Sequence, residues 1–588
     1  MGAKRAGSRP PPAANASLRA RRFPAIRYPT AMTHGSIGST PAAAAVTPRT
    51  RREARPGAAR GRGWLARARC AAAVLAAAAL ATLAGCATNP VTGKEELRLI
   101  PESMEIELGR ENYLPARQMQ GGDYVADPGV AAYVREVGGR LAAVADRRLP
   151  YEFTVVNDSE PNAWALPGGK IAVNRGLLYI LEDEAELAAV LSHEIVHAAA
   201  RHGAKAMERG LLLMGAVALV SAAAERRGKA DETAGMLAVG AAQVAAVLLG
   251  QKYSRDAERE ADHYGMLYMA RAGYDPAAAV SLQEKLLRLK HEKGAHPGWL
   301  ERLLSSHPTS EERVQAARAR LAQLPRGGER GRGRYRARLA RLLETRPAYE
   351  AYDAGRKALE KERRPRKALR LARKAIRIEP REALFHALEG DALAALGRRR
   401  AALDAYAEAE RLNPGYYYPK ERRGLLLAKM GRRGEARAAL EASLRLLDTA
   451  PARYALARIA LAEGRREEAR KHLRTVAESG TPLARRALED LLDLDLPVRA
   501  WDYLAARVAL DAQGYLNVVV RNRTPVPVHD VVVAFRFPDG SRFRLPLGGV
   551  IAPGKEASYR VFGKPIPARL RADLPRIRAR VVAARRAG

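Results

Sequence analysis

The sequence predicts a multidomain, mainly α-helical protein: an α+β domain, an α-solenoid and a small C-terminal β-sandwich. Three observations predict it. At 588 residues the chain exceeds what one hydrophobic core supports. Proline and glycine markers recur at a 34-residue spacing between 347 and 492, and beyond 496 helix formers give way to alternating strand-like runs.

Residues 1–64 are rich in Pro, Ala, Arg and Ser without apolar periodicity, which predicts a disordered extension or a start codon placed too early. A signal-like unit follows over 65–86: Arg67 and Arg69, an apolar run over 70–83, then Leu83-Ala84-Gly85-Cys86. The 14-residue run is short for a membrane span and suits the core of a secretory signal. Leu-Ala-Gly-Cys resembles a bacterial lipobox, which implies lipidation at Cys86. The next residue is Ala87 and not Asp. By similarity to Gram-negative lipoproteins this implies the outer membrane, on its periplasmic side. Cys70 and Cys86 are the chain's two cysteines, so no disulfide framework or cysteine-based metal site is expected further on.

Residues 87–322 are expected to form the α+β domain. Helical spacing covers 130–148, and 151–158 alternates as a strand does. Gly168-Gly169 then turns the chain into a short run at 170–173, which reads as a hairpin. That strand is either an ordinary core strand or an open edge on which an extended peptide lies, with Asn162, Gly169, Lys170, Ile171, Ala172 and Val173 as substrate-binding residues. Next comes an amphipathic helical pattern over 184–203 carrying His193, Glu194 and His197 in the order HExxH. Two apolar stretches, 211–224 and 236–250, are too short to span a bilayer and are expected to form a helical hairpin that packs over the site or leans on the membrane surface.

Two histidines four apart lie about 40° apart around a helix, so both imidazoles can meet one ion, with Glu194 beside them to move a proton. This is the chemistry of a zinc hydrolase and predicts one Zn2+ per chain, in a zincin-type peptidase domain. A third protein ligand is needed, with the fourth position open for water. His202, five residues past His197, is roughly 140° around the helix and is expected to face elsewhere. At the position where metzincins place their third histidine stands Gly203. The segment 254–265, SRDAEREADHYG, offers Glu258 as ligand, with Asp262 on the same face to hold a ligating imidazole, and Glu260 on another face as the alternative.

The Arg/Gly-rich stretch 323–346 is expected to be a linker. From 347 to 495, Pro380 and Pro414, Gly390 and Gly424, and Gly397 and Gly431 are each 34 apart, with Gly464 a further 33 on. A 34-residue helix-turn-helix unit is the signature of tetratricopeptide repeats. Over 496–588 short alternating runs separated by Pro and Gly turns predict an immunoglobulin-like β domain. The formal charge of +37 is spread along all segments, so it reads as a composition bias, with weak attraction to anionic lipid or cell-wall polymer as the alternative, and nucleic acid is not an expected partner.

HEIVHAAARH, SRDAEREAD with AGYDP downstream, NAWALPGG and SHPTSEER together resemble the HtpX, BepA and CAAX-prenyl-protease-type gluzincin metallopeptidases (peptidase family M-forty-eight). The lipobox and repeats are similar to the periplasmic lipoprotein branch of that family, although the β domain is a departure from it. The resemblance implies His193, His197 and Glu258 as zinc ligands and Glu194 as general base. It also implies His307 and Arg313 near the reacting carbonyl, with His307 stabilising the oxyanion or occupying the open metal position in a resting state. The expected function is zinc-dependent endoproteolysis of misfolded or mis-assembled envelope proteins, on unfolded or extended substrates, by a chain lipid-anchored to the membrane. The alternative is a chaperone or scaffold for outer-membrane assembly, acting through a protein partner of the repeats.

Overall fold

The computed structural model describes residues 86–212, 253–291 and 307–587, without the side chains of 86, 568–570 and 572. The expected N-terminal extension and signal run before Cys86 lie outside the described residues, as do the apolar stretches 213–224 and 236–250. Cys86 opens β1 (Cys86–Thr88), which pairs with β2 (Glu95–Leu97).

The first domain sets helices against one small sheet. Helices α1 (Glu102–Met119) and α2 (Pro128–Ala142) precede β3 (Glu152–Val156), β4 (Ala163–Leu166) and β5 (Lys170–Asn174). Short α3 (Arg175–Leu178) then leads to α4 (Glu184–Ala199), and α5 (Arg255–Arg271), α6 (Ala277–His291) and α7 (Glu311–Leu321) complete the domain. Strands β4 and β5 form an antiparallel hairpin whose turn places Gly168 and Gly169 at φ of 75° and 83°, where a side chain would be strained. The parallel pairing of β3 with β5 gives the order β3-β5-β4. The run 170–173 is therefore the central strand, buried at every position, and not an open edge. Lys170, Ile171, Ala172 and Val173 have ladder partners on both sides, and the edge strands are β3 and β4.

Helix α4 is capped by Asp183, whose side chain accepts from the Glu186 N–H. It ends at Ala199, short of the expected Gly203, because Arg201 adopts φ 63° before helix resumes over 202–212. Leu187, Leu191, Ile195 and Val196 bury one face of α4 in the domain core. The stretch 323–346 differs from the expected linker: it folds into α8 (Arg332–Arg338) and α9 (Ala340–Glu344). Tyr335, Leu339 and Leu342 join the same core, and Arg334 pairs with buried Glu184.

A solenoid follows, from α10 (Arg346–Glu360), α11 (Pro365–Ile378), α12 (Ala383–Ala395) and α13 (Arg399–Leu412) through α14 (Tyr417–Lys429), α15 (Arg433–Leu444), α16 (Ala450–Ala462), α17 (Arg466–Ala477) and α18 (Ala484–Arg499). The repeated glycines have two jobs. A Cβ on Gly390 would come within 2.5 Å of the Tyr406 ring and one on Gly424 within 2.7 Å of Leu440, so these admit the partner helix, whereas Gly397, Gly431 and Gly464 end helices at φ near 76°. The solenoid docks on the first domain through hydrogen bonds from the Gln118 amide to Gly415 O (2.8 Å) and from Asn157 to Glu382 (2.9 Å), and by Arg175 stacked 3.6 Å over Tyr349.

The C-terminal β domain comprises β6 (Leu504–Leu510), β7 (Leu516–Asn522), β8 (Val528–Arg536), β9 (Arg542–Leu547), β10 (Glu556–Arg560) and β11 (Arg578–Arg586). They form two three-stranded antiparallel sheets, β10-β7-β6 and β11-β8-β9, around one apolar core.

Candidate metal centre

The break at Arg201 and the packing of α5 against α4 assemble the site. His193 and His197 lie one turn apart on α4 with Nε2 atoms 3.0 Å apart. Buried Glu258 on α5 sets Oε2 3.6 Å from His193 Nε2 and Oε1 3.3 Å from His197 Nε2. A tetrahedral ion bonded at about 2.0–2.2 Å holds its ligand atoms roughly 3.3–3.5 Å apart, so these three residues fit a metal ion. His307 supplies a fourth corner, its Nδ1 being 3.4 Å from His193 Nε2 and 3.1 Å from Glu258 Oε1. Glu258 Oε2 accepts no hydrogen bond in spite of its burial, and the cation beside it is the Arg313 guanidinium.

The neighbours of the ligands fix their protons. Asp262 Oδ1 lies 3.1 Å from His193 Nδ1, which leaves Nε2 free to ligate. Burial alone would lower His193, but the Glu258 charge and the Asp262 hydrogen bond outweigh it and push the imidazole up to about 10. For Glu258, burial is outweighed by His307 and His193, which hold the carboxyl well below its usual range. His197 goes the other way, kept neutral by burial.

His202 does not face elsewhere. The left-handed turn at Arg201 swings it back, so that its Nδ1 is 2.8 Å from His197 Nδ1 and its Nε2 is 3.2 Å from Glu260. Glu260, the alternative ligand in the sequence, thus buttresses a ligand, and its bond to His202 holds the carboxyl down at about 2.

Arg313 grips Asp262 bidentately (2.7 and 2.8 Å), donates to Pro308 O and lies 2.8 Å from Glu258 Oε2 without hydrogen-bond geometry. Its guanidinium is engaged by these groups, so it positions Asp262 and Glu258 in place of the expected contact with a reacting carbonyl. Glu194 is buried, its Oε1 3.6 Å from His307 Nε2 and its Oε2 unpaired, and burial raises its carboxyl pKa.

Tyr253 escaped sequence reasoning. It stacks on His197 with ring centroids 3.8 Å apart, and its hydroxyl lies 3.4 Å from Ala165 O on β4. Asn162 sits just before β4, while Gly169 lies in the turn against Tyr151, away from the metal cluster. An apolar cavity of about 100 Å³, walled by Val190, Met266, Met269, Leu282 and Leu286, opens beside His193 and Glu194.

Two histidines of an HExxH helix, a glutamate from the next helix and an unpaired glutamate at the metal position define a metallohydrolase centre of the gluzincin type. The chain belongs to peptidase family M48, whose model matches residues 128–321. It is 31% identical over 226 residues to the beta-barrel assembly-enhancing protease of Escherichia coli K12, covering 35% of this chain and 44% of that protein. Over 184 residues it is 34% identical to the mitochondrial metalloendopeptidase OMA1 of Schizosaccharomyces pombe, covering 31% and 50%. The metalloprotease YcaL of E. coli K12 is 30% identical over 200 residues, covering 33% of this chain and 73% of that protein. The chain thus spans less than half the length of the beta-barrel assembly-enhancing proteases it matches.

Proposed function

We propose that the chain is a zinc-dependent endopeptidase acting on misfolded or mis-assembled envelope proteins. The observation that carries this reading is the near-tetrahedral spacing of His193, His197 and Glu258 with the unpaired Oε2 of Glu194 beside it. Bound zinc would supply Lewis-acid polarisation of the scissile carbonyl and a water acidic enough to react near neutral pH.

The chain's residues do the rest. Glu194 Oε2 takes a proton from the attacking water and passes it to the leaving amine nitrogen. The unpaired edge of β4, where Tyr253 meets Ala165 O, aligns an extended backbone by ladder hydrogen bonds once Tyr253 gives way, which selects unfolded segments over folded ones. The cavity walled by Met266 and Leu282 takes a large apolar side chain next to the cleaved bond. His307 rests on the fourth corner and must leave it for substrate to enter. The relatives named as beta-barrel assembly-enhancing proteases support envelope proteins as the substrate class, and the repeats supply a surface for a protein partner. The reading extends to lipidation at Cys86 and anchorage at the periplasmic face of an outer membrane. Among the described residues no helix is long and apolar enough to cross a membrane.

The test is a comparison of envelope proteomes between wild type and Glu194→Gln. Accumulation of uncleaved envelope proteins in the variant supports the reading. Unchanged fragments in that variant, with defects on deleting 347–495 instead, favour the scaffold.

A further inference from the structure

The β domain carries a charge pattern the peptidase reading leaves unused. Residues 504–588 hold fourteen Arg and two Lys against five Asp and Glu, a net +11 over 85 residues, whereas 86–503 hold 70 Lys and Arg against 58 acids, a net +12 over 418. The excess is ordered. Arg578 on β11 lies directly opposite Arg536 on β8, which lies opposite Arg542 on β9. Two residues along, Arg580 and Arg544 flank Ala534. All five arginines are exposed, and among the described residues no carboxylate pairs with any of them. Like charges directly opposite destabilise a sheet, so an unneutralised row of three is unfavourable to the fold. A bound anion removes that repulsion, and guanidinium forks match phosphate oxygens.

A second feature lies at the same end of the sheet but on the opposite face, because neighbouring strand residues point to opposite sides, so a ligand meets both only by passing round the strand ends. Phe537, Ser541 and Ile577, the chain neighbours of Arg536, Arg542 and Arg578, line a groove of about 490 Å³ that Phe562 and Ile566 continue. Four of the chain's seven phenylalanines, at 535, 537, 543 and 562, gather here with centroids 4.8–6.3 Å apart, and Phe562 is 41% exposed. The two acids of the groove are engaged, Asp539 by Ser541 and Asp573 by Arg576.

We propose that this end of the β domain binds an anionic phospholipid, the phosphate on the Arg536–Arg542–Arg578 row and an acyl chain in the phenylalanine groove. The domain thereby lies against an anionic leaflet independently of any anchor at Cys86. A nucleic acid or an acidic peptide would answer the charge and leave the apolar groove empty.

The test is co-sedimentation of the full chain, carrying Cys86→Ser, with vesicles of phosphatidylglycerol in phosphatidylcholine and with phosphatidylcholine alone. Wild type is expected to bind the anionic vesicles only. The triple variant Arg536→Gln/Arg542→Gln/Arg578→Gln is expected to lose about 100-fold in affinity, while its thermal midpoint holds or rises because like charges are removed. Phe562→Ser is expected to weaken binding in high salt, where the electrostatic part is screened. A charge-matched Arg366→Gln/Arg370→Gln/Arg377→Gln variant in the solenoid is expected to bind as wild type. Equal loss in that control, binding unchanged in the β-domain triple variant or in Phe562→Ser, or tighter binding to duplex DNA than to vesicles would each overturn the proposal.

Discussion

His202 Nδ1 lies 2.8 Å from His197 Nδ1, although the two residues are five apart in a stretch that reads as continuous helix. With His197 Nε2 toward the metal, its Nδ1–H donates to His202, whose Nε2–H donates to Glu260. His193 has a parallel support in Asp262, held by Arg313. Each of the two HExxH imidazoles is thus oriented through its second nitrogen by a carboxylate, directly or through one more ring.

Glu260→Gln keeps the size of the side chain and removes the charge that fixes the His202 tautomer. Zinc affinity is expected to fall about 10- to 100-fold, measured by competition with a chromogenic chelator. Hydrolysis at saturating zinc should stay within a few-fold of wild type.

His307→Ala clears the fourth corner of the cluster without touching His193, His197 or Glu258. Steady-state hydrolysis of a short fluorogenic peptide is expected to rise several-fold with zinc content unchanged. A fall in kcat would assign His307 to oxyanion stabilisation.

The HExxH helix, the Glu258–Asp262 face of α5, the β4–β5 hairpin and the repeats were legible because each rests on local spacing or on a turn that needs glycine. Three things were not. The edge of the sheet depends on the parallel partner β3, a pairing that alternation within 170–173 cannot reveal. His202 was placed by helical geometry, and one left-handed residue, Arg201, undid it. The 323–346 stretch looked like a linker because its buried residues, Tyr335, Leu339 and Leu342, are sparse among arginines whose heads point outward.

Asp158 lies between the sheet and the solenoid, and burial pushes its carboxyl up to about 6 from an ordinary value of 3.8. The folded state then binds the proton more tightly than the unfolded chain. This contribution is fully present below pH 3.8 and is lost as pH rises through 6. Asp158→Asn is therefore expected to stabilise the protein by about 3 kcal/mol at pH 7.5 and to make no difference near pH 3, read from thermal unfolding at the two pH values.

Arg363 stands 34 residues before Gly397 and shares its left-handed conformation, at φ 56°. The first repeat thus carries Arg where the later ones carry glycine, and a side chain in that conformation carries backbone strain. Arg363→Gly is expected to raise stability by about 1 kcal/mol, seen as a higher urea midpoint with an unchanged slope.

The most direct test of the central claim is to measure bound zinc and hydrolysis of an unfolded protein side by side for wild type and Glu194→Gln. Zinc near one per chain in both, with hydrolysis reduced by at least about 1,000-fold in the variant, is the predicted result. Hydrolysis that persists in Glu194→Gln with zinc bound, or a wild-type chain that binds no zinc, would contradict it.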